Sequence, residues 1–339
     1  MNFCVLIPAK DERLGIGKTI QSVLEAGASA KDIYVIDDGS TDGTGEIASS
    51  FGVNVLRNEK NISKALSIRR VTIHFGLTDR YDVICLMDAD TEVSKNYFEA
   101  VLHGMAAPNI AAVCGRAKSV PHNWLTAYRA FQYWLSHAIY KGGQNNMKVI
   151  TVAPGCASSY RAAAFAELDW NRDTIVEDMD CTIQVHRKKL GDLRYVPEAE
   201  VYTQDPATVR DYCKQMYRWQ TGAWQIGLKY KMMTGLSRVD WEYKLLMGEG
   251  LVFALFFLFL PLLLLLFPKV VAAALLCDFG LLVILAAISS VCDKRLDVLL
   301  YIPRYFPMRF MDCAIFLYTF WKTFLQRQHV DGWFAVKRY

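Results

Sequence analysis

Ile33-Tyr34-Val35-Ile36-Asp37-Asp38-Gly39-Ser40-Thr41-Asp42-Gly43-Thr44 is the stretch from which the fold is read. A short apolar run enters a cluster of Asp, Gly, Ser and Thr, as a buried strand does when it reaches a turn. Thr41 or Asp42 in such a cluster caps the helix that follows. Turn and cap chemistry account for the later residues of the stretch but not for two adjacent carboxylates at the strand end. About fifty residues on the pattern returns, with the run 83–87 ending in Asp88-Ala89-Asp90.

Working outward, apolar runs at 3–7, 33–36, 53–56, 83–87 and 110–114 alternate with helical patterns at 17–26, 43–51, 63–75 and 95–105. Fully apolar runs separated by helices predict a doubly wound, mostly parallel α/β sheet. Ligands of such sheets bind beyond the carboxyl ends of the strands, where both acidic clusters fall. Beyond Pro121, Trp124, Tyr128, Phe131, Trp134 and Leu135 recur at helical spacing. A helix packed within its own domain and a helix lying on a membrane surface both fit. A loop at 142–146, a strand at 149–153 and helices at 176–189 and 207–231 complete this half.

The second half differs in composition. The chain has 339 residues, 53% of them apolar, and the excess is concentrated in 251–267 and 270–291. Two spans follow, at 245–267 and 270–291, each long enough for a hydrocarbon core of ~30 Å. Lys229, Lys231, Arg238 and Lys244 before the first, and Lys294 and Arg295 after the second, predict both ends of a hairpin on the cytoplasmic side. The segment 296–325, with Pro303, Pro307, Arg304, Arg309 and Asp312, reads as interfacial or re-entrant, and Lys337 and Arg338 predict a cytoplasmic C-terminus. The boundary falls between a catalytic domain at 1–235 and a membrane domain at 236–339.

Charge follows the same division. From Lys229 onward there are 13 Lys/Arg against 8 Asp/Glu, a net +5, and the whole chain carries +4, so residues 1–228 come to about −1. A nearly neutral first part has no electrostatic footprint for nucleic acid, while a basic membrane half suits anionic lipid. The nine cysteines are scattered and never form CxxC, so neither a disulfide framework nor a zinc knuckle is expected. Residues 1–10 read as a buried strand and not as a signal peptide, which predicts a multi-pass protein of the cell membrane with its catalytic domain in the cytoplasm.

Two nucleotide-site patterns fail. Gly17-Lys18-Thr19 imitates the end of a P-loop, but the glycine required five residues earlier is Glu12. Gly15 and Gly17 lack the third glycine of a dinucleotide fingerprint. In Asp88-Ala89-Asp90, by contrast, carboxylates at i and i+2 can share a hard divalent cation, Mg²⁺ or Mn²⁺, that keeps positions for diphosphate oxygens.

Five motifs in order, Ile7-Pro8-Ala9-Lys10-Asp11-Glu12, Asp37-Asp38-Gly39-Ser40, Asp88-Ala89-Asp90, Val176-Glu177-Asp178 and Gln215-Met216-Tyr217-Arg218-Trp219, resemble family 2 glycosyltransferases. The chain is similar to their membrane-embedded QxxRW branch, which includes cellulose, chitin, hyaluronan and poly-N-acetylglucosamine synthases. The resemblance covers about residues 1–231. It implies a GT-A fold and a UDP-sugar donor held by Ala9, Glu12, Asp37, Asp38, Lys64 and Asp88, with Asp38 the base contact. It further implies Asp90 as principal metal ligand with Asp88 in support, Asp178 as catalytic base, and Gln215, Arg218 and Trp219 for acceptor and diphosphate. On a helix the last three share one face. Gly155-Cys156-Ala157-Ser158-Ser159-Tyr160-Arg161 resembles the acceptor-side loop.

The implied enzyme is a metal-dependent, inverting hexosyl- or N-acetylhexosaminyltransferase that extends a β-linked polysaccharide. The alternative is a single transfer to a membrane lipid acceptor. Synthases of this branch carry transmembrane helices before the catalytic domain as well as after it, so either chains assemble as a homo-oligomer to complete an export path or the product stays short or lipid-linked. Val176 stands where the related triad has Thr, which removes a hydroxyl and leaves both carboxylates.

Overall fold

The first strand, β1 (Phe3–Ala9), is buried from its second residue to its last, as a strand covered by apolar layers on both faces must be. It pairs in parallel with β2 (Ile33–Asp37) on one side and with β4 (Val83–Leu86) on the other. Beyond β2, β3 (Asn54–Arg57) is again parallel. The connecting helices Ile16–Glu25 and Lys64–Phe75 bury Ile16, Ile20 and Val23, and Ile68 and Val71, respectively. This half of the sheet is the doubly wound structure that the sequence predicts.

The other half is antiparallel, so the sheet is mixed and the expectation of a mostly parallel sheet is corrected. Its strands are β5 (Thr91–Val93), β6 (Ile110–Ser119), β7 (Ser158–Arg161) and β8 (Asp192–Thr203), in the spatial order β3-β2-β1-β4-β7-β6-β8-β5. β7 runs against both β4 and β6, and β5 runs against β8. Alternating strands and helices signal crossovers but not direction, and the ladder reverses where β7 inserts between β4 and β6. The strand expected at 149–153 does not form. There the Ala153 amide donates to the Thr182 hydroxyl (2.9 Å) and the Val149 amide to the Gln144 carbonyl (2.9 Å), partners that compete with a ladder.

The structure describes residues 1–326, which fall into two units. Of the described residues, Met1–Lys118 with Ile139–Gln204 forms the sheet unit, and Ser119–Ala138 with residues 205–326 forms a helical one. The division drawn by packing therefore differs from a cut at 235. The helix Trp124–Trp134, capped by a reciprocal Asn123–Thr126 box, packs Leu125, Tyr128 and Phe131 with Tyr212, Met216 and Tyr305 inside the helical unit.

Among the described residues one straight helix, Pro268–Asp293, is long and apolar enough to cross a membrane by itself. The other expected span, 245–267, bends by 63° between Arg238–Leu258 and Leu260–Leu266. Pro261, in the first turn of the second piece, lacks the N–H that would continue the ladder, and its ring crowds the preceding turn. The 296–325 segment holds Asp297–Leu300 and Ile302–Phe320, the latter with Pro307 inside. The basic pair Lys337 and Arg338 lies outside the described residues.

A buried charge pair anchors the helical unit. Arg129 donates through Nε to Asp205 Oδ1 (3.0 Å), with both side chains at most 3% exposed, and its guanidinium lies over the rings of Tyr133 (4.5 Å) and Trp219 (4.9 Å). Removing one partner of such a pair leaves a buried charge and costs about 3–5 kcal/mol. Asp205→Ala is expected to lower the thermal midpoint of the solubilised protein by roughly 6 °C or more. Adding Arg129→Leu should restore most of that loss, as thermal unfolding of the two variants would show.

Candidate active site

The carboxyl ends of β1, β2 and β4 deliver the predicted residues to one end of the sheet. Ala9 closes β1 and accepts the Asp38 amide on its carbonyl (2.8 Å). Asp37, fully buried, accepts the Ser40 amide on Oδ1 (2.8 Å) and lies 3.4 Å from Arg57 Nε. Asp38 gathers the loop after β3, accepting from Asn58 Nδ2 (2.7 Å), the Ile62 amide (2.8 Å) and the Ser63 amide (3.1 Å). Gly39 has φ of +70°, and a Cβ there would meet the Lys60 backbone at 2.8 Å, so the turn accepts only glycine. Glu12 is buried and its amide donates to Thr44 Oγ1 (2.9 Å).

The loop held by Asp38 leads directly to Lys64. Ser63 sits at φ +93°, a conformation that non-glycine residues rarely adopt and that recurs at functional sites. Lys64 then opens its helix with Nζ 2.6 Å from Asp88 Oδ1 and 2.7 Å from Glu177 Oε1. Burial opposes the charged form, but the carboxylates of Asp88 and Glu177 outweigh it and hold the Lys64 ammonium well above its usual range. Gly155 lies against it, where an added Cβ would stand 3.0 Å from Lys64 Nζ.

Asp178, the expected base, is part of the same cluster. Its Oδ2 accepts the Gly155 amide (3.1 Å) and its Oδ1 the Met179 amide (2.8 Å), at the start of the helix Glu177–Lys188. Burial first and the Glu177 carboxylate second push the Asp178 carboxyl up, against Lys64 and the two amides. A raised carboxyl pKa brings a proton acceptor closer to the operating pH. Sequence reasoning gave no role to Glu177 and placed Gly155 only in the acceptor-side loop, and the adjacency of two acids in Val176-Glu177-Asp178 is the signal that points to Glu177.

Asp88 and Asp90 offer a hard, all-oxygen donor set of the kind that binds Mg²⁺ or Mn²⁺ together with substrate phosphates. Among the described residues no third His, Cys, Asp or Glu completes a protein-only cage. The Lys64 ammonium on Asp88 demonstrates that this carboxylate accepts a positive charge. The pair therefore fits a cation whose remaining ligands come from a diphosphate and water.

Other predicted residues fall elsewhere. Gln215, Arg218 and Trp219 lie on the helix Val209–Lys229 of the helical unit. There Trp219 receives the Arg129 guanidinium, Gln215 Oε1 has no hydrogen-bond partner and Arg218 no ion-pair partner among the described residues. The Ser158–Arg161 part of the expected acceptor-side loop is strand β7. Burial and the carboxylates of Asp88 and Asp90 push the Cys156 thiol well up, so it stays protonated, and among the described residues no cysteine forms a disulfide. His186 makes a hydrogen-bond contact with the Ile150 carbonyl (2.8 Å), a structural role.

A mixed sheet with paired acids at its strand ends, a lysine among carboxylates and a partly desolvated aspartate is an arrangement of the GT-A type. The match to known sequences points the same way, because residues 4–169 match glycosyl transferase family 2. It is 26% identical over 260 residues to a β-monoglucosyldiacylglycerol synthase of a Synechocystis species, covering 71% of this chain and 52% of that protein. It is also 26% identical over 235 residues to a poly-β-1,6-N-acetyl-D-glucosamine synthase of Staphylococcus epidermidis, covering 66% and 55%. The matched region spans about half the length of these relatives. Among solved structures, a mannosyltransferase from Pyrobaculum calidifontis in complex with GDP-mannose and Mn²⁺ shares the fold, with a TM-score of 0.65 at 15% identity over 96% of this chain and 88% of that one.

The electrostatics predict a pH profile. A protonated carboxyl cannot accept a proton, so Asp178, raised above the ordinary 3.8, loses its basic form on acidification sooner than a free aspartate would. Lys64→Met removes the charge that opposes this rise and is expected to move the acid limb of nucleotide release to higher pH. A pH–rate comparison of the two proteins checks it.

Proposed function

We propose that the protein transfers a sugar from a UDP-linked donor, with inversion, to a growing β-linked polysaccharide at the cytoplasmic face of the cell membrane. One observation carries this reading: Asp178 is a partly desolvated carboxylate two side chains away from Asp88, through Glu177 and Lys64. A sugar hydroxyl is a poor nucleophile at neutral pH and needs such a base to take its proton as it attacks the anomeric carbon. The acceptor oxygen forms the new bond, the bond from the anomeric carbon to the diphosphate breaks, and the proton passes to Asp178. Attack opposite the leaving group inverts the centre.

Charge accumulates on the departing nucleoside diphosphate, and Lys64 is the ammonium available in the sheet unit to stabilise it. Arg218 is the second cation assigned to that diphosphate, and its lack of an ion-pair partner in its own unit supports the role. Asp90, supported by Asp88, would hold Mg²⁺ or Mn²⁺, which when bound supplies further charge neutralisation. Ala9, Glu12, Asp37 and Asp38 are assigned to the nucleotide. The Asp38 carboxylate already holds three donors of the chain, so its part is to shape the pocket floor that the base meets. Gln215 and Trp219 are assigned to the acceptor sugar. A homo-oligomer would build the export path for a long product.

A second reading, a single transfer to a membrane lipid, is favoured by a largely apolar cavity inside the helical unit. Incubation with Mn²⁺ or Mg²⁺ and a panel of UDP- and GDP-sugars, with products analysed by mass, separates the two. A ladder of additions is expected for the polymer, and one sugar on a lipid for the alternative. Asp178→Asn should lower turnover by ~10²-fold or more and leave nucleotide diphosphate affinity unchanged. Full turnover in that variant would remove Asp178 from the mechanism.

A further inference from the structure

Within the helical unit lies a cavity of about 360 Å³, in the size range of small-molecule sites. Phe131, Leu135, Phe253, Leu281, Leu285 and Phe316 line it with carbon. A sugar chain would need hydrogen-bonding groups along its whole length, and these side chains offer carbon. A hydrocarbon chain fits them.

The polar part of the lining is small and one-sided. Arg309, Asp278, Asp312, Gln132 and Gln220 all border the cavity, and Gln132 already gives its amide nitrogen to the Tyr212 hydroxyl (3.0 Å) and Asp312 Oδ2 (3.2 Å). Arg309 gives its two terminal nitrogens, Nη1 and Nη2, to Asp278 at 2.7 and 2.8 Å, so its charge is already matched. Asp312 accepts from the Tyr128 hydroxyl (2.7 Å) and the Tyr212 hydroxyl (2.6 Å) and adds a further acidic group. Gln220 Oε1 is buried and finds no hydrogen-bond partner among the described residues. A buried acceptor without a donor costs about 1–3 kcal/mol, a penalty that an entering donor relieves. The lining thus presents acceptors and a surplus of acid. It disfavours a phosphate and favours a group that donates hydrogen bonds without negative charge. Ionisable side chains in apolar helices mark such ligand sites.

We propose that this cavity binds one hydrocarbon chain of a neutral, hydroxyl-headed membrane lipid, with the hydroxyl donating to Gln220 Oε1 and the neighbouring carboxylates. As the acceptor site, this inference rests on the lipid-transfer reading above; as a binding site, it stands alone.

The test compares diacylglycerol with phosphatidic acid of the same acyl chains, which differ by the phosphate, on the full-length protein in detergent by native mass spectrometry. Diacylglycerol is expected to bind one to one and at least tenfold more tightly than phosphatidic acid. Leu285→Trp, which fills the cavity, should abolish binding. Gln220→Leu, which removes the orphan acceptor at little change of volume, should weaken it severalfold even where the tryptophan variant fails to fold. Nucleotide diphosphate binding is expected to be unchanged in both. Equal or tighter binding of phosphatidic acid would overturn the proposal, as would full lipid retention in the two variants. Diacylglycerol bound but never glycosylated would sustain the site and remove only the lipid-transfer reading.

Discussion

The sheet unit is organised around a single ammonium group. Lys64 joins the end of β4 to the helix that begins at Glu177, 89 residues beyond Asp88, through contacts of 2.6 and 2.7 Å. Without that charge, Asp88, Glu177 and Asp178 would stand together as like charges in partial burial, which is strongly unfavourable. Much of the surrounding backbone serves this placement. Asp38 spends its carboxylate on the loop that precedes Lys64, Ser63 takes an unusual φ to turn into the helix, and Gly155 leaves the side chain the room it needs.

The two carboxylate pairs behave differently although the sequence writes them alike. Asp37 and Asp38 are turned inward, bonded to amides and to Asn58, and hold the turn and the loop at this end of the sheet. Asp88 and Asp90 lie between β4 and β5, and Asp88 gives an oxygen to the Lys64 ammonium. One pair shapes the pocket and the other meets charge, a distinction set by what surrounds each strand end.

Strand ends were legible in the sequence because apolar runs that stop at acids are a local signal, and β1 to β4 appear within a residue or two of where the hydropathy puts them. β7 was not legible, since Ser158-Ser159-Tyr160-Arg161 has neither an apolar run nor alternation, and its two serines are nevertheless buried in the middle of the sheet. Antiparallel pairing is likewise a property of where the chain returns, which no local pattern records. The same holds for the site. Asp178 and Lys64 were recognisable from motifs, but the role of Glu177 depends on a contact across 113 residues, and the importance of Arg129 on a partner, Asp205, 76 residues away. Pro261 was visible in the sequence but lay inside an apolar run whose hydropathy alone predicts a straight span.

The mixed sheet also has a temporal meaning. Its parallel half, β1 to β4, is complete once the first 86 residues have been made. β5 follows within a few residues, yet its partner is β8, and Thr91 must wait about 110 residues for Thr203. On the ribosome, at roughly 5–20 residues per second, that interval is many seconds long, during which a short edge strand and the β4 edge lie open. Pairings of such long reach are also the slow ones once the chain is complete. The antiparallel half is therefore the last part of the sheet unit to form, so the contacts of Lys64 with Glu177 are made only after the parallel half already exists.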